Sequence, residues 1–282
     1  MPASPSYYWF RFRSALRWYL RARTVYDVHS PRFYAFIREV YRDGRHYHAF
    51  DLVAGVRRYW AGRNETVRLQ SLGAPSKTTS RTERSASSLV ATNAIAEREG
   101  QLLFRLALWL RAETIVEFGT NAGISTLYLH LADTRARLFT VEGNPEVAAL
   151  AQRSFSLARV SDHLRPFTGR FDRWLRHEWP KVREDAGLVD LFFLDGDHRY
   201  QPTLDYVKAL LPDAHVGTVF VIADIHWSEE MERAWAELQQ LPAVTASLDL
   251  YHFGLLLFDP GMDGPHLTLA PLWMKPWRMG VF

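Results

Sequence analysis

From residue 94 onward the chain alternates between two periodicities. A helical pattern at 94–111 gives way to "TIVEF" at 114–118. The exchange then repeats: helix 123–132, strand 137–142, helix 145–158, strand 164–168, helix 171–184, strand 189–195, helix 201–211, strand 217–223 and helix 228–241. The central strands, Leu191–Leu194 and Val219–Ile222, are unbroken apolar runs. A strand with no polar face is covered on both sides, so the pattern predicts a parallel sheet between two layers of helices. Two last strands, near 244–251 and 253–259, are joined by almost no chain. A parallel crossover needs about a dozen residues or more, so this pair is an antiparallel hairpin. The expected fold is an open, doubly wound α/β sheet of seven strands, mostly parallel, with an antiparallel last strand at its edge.

The 282 residues suffice for such a sheet plus an N-terminal extension. Absence of cysteine rules out disulfides, thiolate metal sites and a Cys nucleophile. No apolar run reaches the length of a membrane span, and the N-terminus lacks the marks of a secretory signal, so a cytoplasmic protein is expected. The net charge of +3 is unevenly spread: residues 1–100 hold 17 Lys and Arg against 8 Asp and Glu, leaving the rest acidic. Within 7–23, read as a helix, Trp9, Phe12, Leu16, Tyr19 and Leu20 share one face, and Arg13, Arg17 and Arg21 another. One reading is a helix docked on the body with its arginines in water. The other is a helix that touches a membrane surface or nucleic acid, which would make the protein membrane-peripheral. Residues 30–62 read as two helical pieces broken near Asp43–Gly44, with Ser30 as N-cap before Pro31. The polar stretch 64–93 reads as a long loop, of the kind that serves as a lid or stays mobile. The expected division is a helical extension with a polar loop (1–93), serving as a substrate lid, and a ligand-binding domain (94–282).

In such sheets ligands lie beyond the carboxyl ends of the strands, where strand order reverses. The first strand–helix turn is "VEFGTNAGISTLYL", 116–129. Gly119 lets the chain turn sharply, and Gly123 opens the helix close to the strand. The spacing is Gly-x-x-x-Gly rather than the Gly-x-Gly-x-x-Gly of a pyrophosphate site. Glu117, just ahead, would repel a phosphate and welcome a cation or hydroxyl. Glu142 closes the second strand in "LFTVEGNPE", where an acid accepts hydrogen bonds from ribose hydroxyls. Two acids and two glycines without a phosphate cradle describe a site for a positively charged nucleoside.

On these residues the chain resembles the class I S-adenosylmethionine-dependent methyltransferases, which share a Rossmann-like sheet with a reversed seventh strand. The resemblance covers about 94–260. It implies S-adenosylmethionine as cofactor, with Glu117, Gly119, Thr120, Gly123 and Ser125 around its methionine part and Glu142 at its ribose. It also implies Arg170, Phe171 and Asp172 of "TGRFD" near the adenine, and Asp195 bordering the cofactor from the fourth strand.

The fourth strand ends "LFFLDGDHRY" (191–200) and the fifth "VFVIADIHW" (219–227), bringing Asp195, Asp197, His198, Asp224 and His226 toward one crevice. Methyl transfer from a sulfonium is an in-line displacement, so the acceptor must be aligned and a hydroxyl acceptor must lose its proton. His198, Asp195, Asp224 and His226 are the candidate catalytic residues, an imidazole suiting a base at neutral pH. These strand ends are similar to those of the cation-dependent catechol-type O-methyltransferases, which implies Asp195 and Asp224 as ligands of a divalent cation. The pattern departs from that group because Ala223 or Ile225 stands where a further oxygen ligand is expected. Two carboxylates hold Mg²⁺ weakly, and with His198 and His226 they also suit a transition metal. Further stretches, "YDVHSPRFYAFI" (26–37), "DGRHYHAF" (43–50) and "GQLLFRL" (100–106), resemble a related bacterial group, which carries Asp-Asp-Ile-His-Trp where this chain has residues 223–227.

The expected activity is methyl transfer to a hydroxyl of a small molecule. The alternatives are a nucleic-acid methyltransferase, disfavoured because the fourth strand lacks (Asp/Asn)-Pro-Pro-(Tyr/Phe), and a non-catalytic cofactor binder, suggested by Ala223. The expected partners are a small-molecule methyl acceptor, a peripheral membrane contact through residues 7–23 and a second copy of the chain in a homodimer.

Overall fold

The computed structural model describes residues 5–70, 82–160, 162–262 and 266–278. The N-terminal portion contains helices α1 (Pro5–Arg21), α2 (Pro31–Phe36), α3 (His48–Ala61) and α4 (Ala86–Asn93). A short antiparallel ribbon, β1 (Thr66–Arg68) and β2 (Glu83–Ser85), lies between α3 and α4. The stretch read as a long loop therefore carries two strands and a helix, and its middle, 71–81, lies outside the described residues.

After α5 (Glu97–Leu110) the expected alternation follows: β3 (Thr114–Phe118), α6 (Ile124–Ala132), β4 (Arg137–Glu142), α7 (Pro145–Ala158) and β5 (Leu164–Thr168). The helix expected at 171–184 is split into α8 (Phe171–His177) and α9 (Trp179–Ala186), because Pro180 cannot donate the hydrogen bond that would carry a helix through it. Next come β6 (Val189–Leu194), α10 (Tyr200–Leu210), β7 (Ala214–Ala223), α11 (Glu229–Leu238), β8 (Ala246–Asp249), β9 (Phe253–Leu257) and β10 (His266–Thr268).

The central sheet runs β10-β8-β9-β7-β6-β3-β4-β5. The reversed strand β9 is not at the edge. It pairs antiparallel with both β7 and β8, and β10, an eighth strand of three residues too short for pattern reading, pairs parallel with β8. Strand order reverses between β3 and β6, the two strands that carry Glu117 and Asp195 at or just beyond their ends.

Alternate residues of the central strands feed two cores. Ile115, Leu191, Phe193, Val219 and Val221 face α3, α5, α6 and α7. Val116, Phe118, Phe192, Leu194, Phe220 and Ile222 face α8 to α11. This two-sided burial is why the strands read as continuous apolar runs. Phe50, Val53, Val56 and Trp60 of α3 lie in the first of these cores, so α3 is part of the body's packing. The Trp60 indole donates to Ser154 Oγ (2.8 Å), which donates to the Ala122 carbonyl (2.6 Å), and so braces the first strand–helix turn from behind.

Helix α1 docks in an unexpected sense. Its buried residues are Ser14 and Trp18, followed by Ala22 just past its end, while Tyr8, Trp9, Phe12, Leu16 and Leu20 are 44–68% exposed. Polar clamps hold it. Arg11 donates to the His226 carbonyl (3.1 Å), Arg17 pairs with Glu232 (2.7 Å), and Ser14 bonds Glu232. The hub is the His226 ring, with Nε2 2.9 Å from Asp249 and Nδ1 3.0 Å from Glu232. Burial alone would lower its pKa, but the hydrogen bonds and charges of Asp249 and Glu232 more than offset this and raise it to about 9. His226 is thus an imidazolium locked between two carboxylates, with Arg11 and Arg17 at the periphery. Among the described residues, no helix is long and apolar enough to cross a membrane.

A raised folded-state pKa stabilises the fold while the group is protonated. The contribution of His226 is complete below its unfolded value of about 6.5 and is lost as pH rises through about 9. Amide exchange in residues 8–20 should therefore accelerate between these pH values beyond its intrinsic base catalysis, and His226→Gln should remove that pH dependence.

Candidate active site

The turn after β3 is built on a close backbone crossing. Gly119 has φ +101°, and a Cβ there would lie 2.1 Å from the Asp195 carbonyl oxygen at the end of β6. Gly123, at φ +81°, caps α6 and leaves room for the Phe155 ring, which a Cβ would meet at 2.7 Å. Only glycine satisfies both the torsion and the space. The Asp195 N–H donates to the Phe118 carbonyl at 2.8 Å, so the β3 turn and the β6 end form one rigid unit.

Glu117 is fully buried beneath this turn. Its Oε2 accepts from the Thr126 and Thr140 hydroxyls (2.5 and 2.6 Å), while Oε1 is buried without a partner. Burial pushes its carboxyl upward, and the hydroxyls of Ser125, Thr126 and Thr140 pull it back. The Thr120 hydroxyl is buried against Thr140 at 2.5 Å, so its backbone is what stands at the turn. Glu142 accepts the Asn121 N–H on one oxygen and the Asn144 N–H on the other, both at 2.9 Å. Each oxygen keeps a lone pair for a further donor. At the start of α8, Phe171 stacks on Phe118 (centroids 4.7 Å apart) and covers Gly196, where a Cβ would meet its ring at 2.5 Å. Arg170 is exposed and paired with Asp172 at 3.0 Å.

The strand ends of β6 and β7 bring three of the expected residues together. The donor atoms of Asp195, His198 and Asp224 all lie within 4.8 Å of one another. His198 Nε2 stands 3.6 Å from Asp195 and 3.8 Å from Asp224. The Asp195 carboxyl is held well above its ordinary value, first by burial and then by the negative charge of Asp224, Glu117 and Glu99. Accumulated negative charge of this kind, with carboxylate and imidazole donors converging, fits a divalent cation.

Two expected members are absent from the cluster. His226 is turned away to hold α1, because two carboxylates and a buried position favour its charged form there. Asp197, at φ +54°, is bound by Arg199 (2.8 Å) and the Tyr206 hydroxyl (2.9 Å). Ala223 is buried in the core, so the site offers two carboxylates and one imidazole. His46 pairs with Asp51 and does not join the site; His29 and His48 are exposed elsewhere.

Two residues escaped sequence reading. Glu99, at the start of α5, adds to the charge on Asp195, and His252 receives the Asp224 N–H on its carbonyl at 2.7 Å. Their side chains face each other (Nδ1 to Oε1, 3.7 Å) and line a cavity of about 830 Å³ beside the cluster. Its apolar walls include Val25, Ile37, Leu102, Phe253 and Trp273. The position of His252 between two strands at the ligand-binding edge was a usable signal; Glu99 offered none. On the other side of the site, Asn121 donates to the Asn93 carbonyl (2.9 Å) and Asn144 to the Arg68 carbonyl (3.0 Å), fastening β1 and α4 near Glu142.

A family model described as a methyltransferase domain matches residues 116–225. The catechol O-methyltransferase of Niastella koreensis is 32% identical over 148 residues, covering 49% of this chain and 65% of that protein. The chain spans less than two thirds of the length of the curated relatives it matches. The crystal structure of an O-methyltransferase from Bacillus cereus in complex with SAH aligns with TM-score 0.54 and 16% identity, over 79% of this chain and 95% of that one. TomG, an O-methyltransferase from Streptomyces achromogenes solved with SAM, gives TM-score 0.53 at 20% identity, over 76% and 91%. The structural likeness shows a shared fold.

Gly119→Ala should cost at least about 2 kcal/mol from torsional strain and overlap. Chemical denaturation should show that loss, and little for Gly44→Ala, where nothing lies within 4 Å of an added Cβ.

Proposed function

We propose that this chain, whose fold is that of the class I methyltransferases, transfers a methyl group from S-adenosylmethionine to a hydroxyl of a small molecule. The observation that carries the reading is the convergence of Asp195, His198 and Asp224 across the crevice from the Gly119 turn. The matched family model and the catechol O-methyltransferase relatives support it.

S-adenosylmethionine, when bound, supplies an electrophilic methyl on a sulfonium. The residues present fit it. The unpartnered Glu117 Oε1 lies beneath the turn, and Glu142 keeps lone pairs for ribose hydroxyls. Ser125 acts through Glu117, Gly119 and Gly123 give the turn the shape on which the ligand would rest, and Phe171 stands beside Gly196 where the adenine would lie. Asp195 borders the cofactor and the acceptor alike.

The acceptor occupies the end of the cavity nearest Glu99 and His252, with residues 25–44 as its outer wall. This gives the N-terminal portion the role of a cover. Alignment of the hydroxyl by these walls is worth up to about 7–11 kcal/mol of barrier. His198 takes the hydroxyl proton, and Asp195 and Asp224 stabilise the imidazolium formed. A positioned base of this kind contributes about 10²–10⁴ in rate.

A second use of the same cluster is favoured by its donor set. Asp195, Asp224 and His198 would hold a divalent cation, which would supply Lewis acidity toward the acceptor hydroxyl. A contact of residues 7–23 with a membrane surface and a homodimer also belong to this reading, the first supported by the exposed apolar face of α1.

Formation of S-adenosylhomocysteine from S-adenosylmethionine and a panel of catechols and other phenols tests the assignment. Failure with every acceptor, despite cofactor binding, would favour a non-catalytic binder. Asp195→Asn and His198→Ala should each lower turnover by about 10²-fold or more, with His198→Ala leaving S-adenosylhomocysteine affinity unchanged. Loss of activity in chelator, restored by Mg²⁺ or Mn²⁺, would identify the cation; chelator-insensitive turnover that His198→Ala abolishes would assign His198 as the base.

Glu142→Gln preserves an acceptor oxygen for the backbone but removes the charge. Its NH2 cannot accept, so one of the two backbone N–H groups loses its partner, and calorimetry should show about tenfold weaker S-adenosylhomocysteine binding together with a lower melting temperature. Glu142→Ala should also lower stability, since it strands the Asn121 and Asn144 N–H groups.

A further inference from the structure

A second, sequence-remote segment with exposed aromatic rings lies beside the end of α1. Tyr19 donates to the Met274 carbonyl (3.0 Å), Lys275 to the Ala22 carbonyl (2.6 Å), and Arg23 bridges to Leu269. These bonds hold residues 269–277 beside the end of α1. There Trp273 and Trp277 are 66% and 68% exposed. Trp9 and Phe12 stack on each other in solvent at 5.8 Å. A helix that docks through Ser14, Trp18 and its arginines while presenting Trp, Phe and Leu outward departs from the usual amphipathic arrangement.

Charge selects the occupant. Arg13 and Arg21 are exposed on the same helix, and neither has an acidic partner among the described residues. A second copy meeting this helix through its own α1 would bring arginines and no acid, leaving Arg13 and Arg21 without a partner. An anionic surface would pair with them, while amphipathic rings rest at its headgroup level.

We propose that Trp9, Phe12, Leu16 and Leu20 of α1, with Trp273 and Trp277, form an interfacial surface that seats the protein on an anionic lipid bilayer. The proposal deepens the membrane contact named above by fixing its composition and charge preference. It also orients the molecule: Leu272 and Trp273 line the acceptor cavity as well, so the cavity lies beside the docking face.

Flotation of the full chain with phosphatidylglycerol vesicles tests it, with phosphatidylcholine vesicles as comparison. The parent should float with the anionic vesicles, much less with the neutral ones, and release as salt rises. Trp9→Ser with Phe12→Ser should lower flotation by roughly tenfold or more. Arg13→Gln should lower it about fivefold. Unchanged S-adenosylhomocysteine binding by these variants would show that the fold is retained. Equal flotation of parent and variants, or none by the parent at low salt, would overturn the proposal. So would a parent dimer that the same substitutions split in sedimentation, since a second copy would then own the face. Flotation by a parent that binds no S-adenosylhomocysteine would leave the docking surface standing and remove the methyltransferase reading instead.

Discussion

The crevice exists because the backbone at Gly119 crosses directly over the peptide of Asp195. No side chain fits between them, and the Asp195 N–H is tied to β3. The contact locks the turn that would face a nucleoside to the strand end that carries the acids. Hence a ligand over Gly119 and an acceptor near His198 would be held by one rigid frame. The buried sheet supplies the rigidity, being packed on both faces by large side chains.

Around that frame the electrostatics are divided. Acids accumulate at and beneath the crevice: burial first, and then the charges of Asp224, Glu117 and Glu99, hold the Asp195 carboxyl above its ordinary value, and a cation or a protonated histidine would relieve it. Acids that point away are neutralised by partners within the protein. Asp197 has Arg199 and Tyr206, and Asp249 and Glu232 have His226. One short stretch, Asp224 to His226, therefore serves both sides, its acid facing the crevice and its imidazole fastening α1. The two residues differ in environment rather than in chemical type.

The N-terminal portion is fastened to the body at three places that matter for a site. Helix α3 braces the glycine turn through Trp60 and Ser154. The β1 and α4 region is tied near Glu142. Residues 25–44 wall the cavity beside Glu99 and His252. These contacts explain how a segment with no catalytic motif would shape what reaches the strand ends.

The sequence by itself determined the sheet, its two-sided burial and the positions of its ligand-facing turns. Strand periodicity and glycine torsion are local properties, and Glu117, Gly119, Gly123, Glu142, Asp195 and Asp224 could be located from them. It could not determine where β9 inserts or that β10 exists, because strand neighbours are chosen by long-range pairing. Nor could it separate His198 from His226, two histidines three and two residues past strand-end acids. Only tertiary packing decided that one imidazole meets two crevice carboxylates while the other is charged between Asp249 and Glu232. The same packing turned the aromatic face of α1 outward, its opposite side meeting the body through buried Ser14 and Trp18, the Arg17–Glu232 pair and the Arg11 bond to the His226 carbonyl.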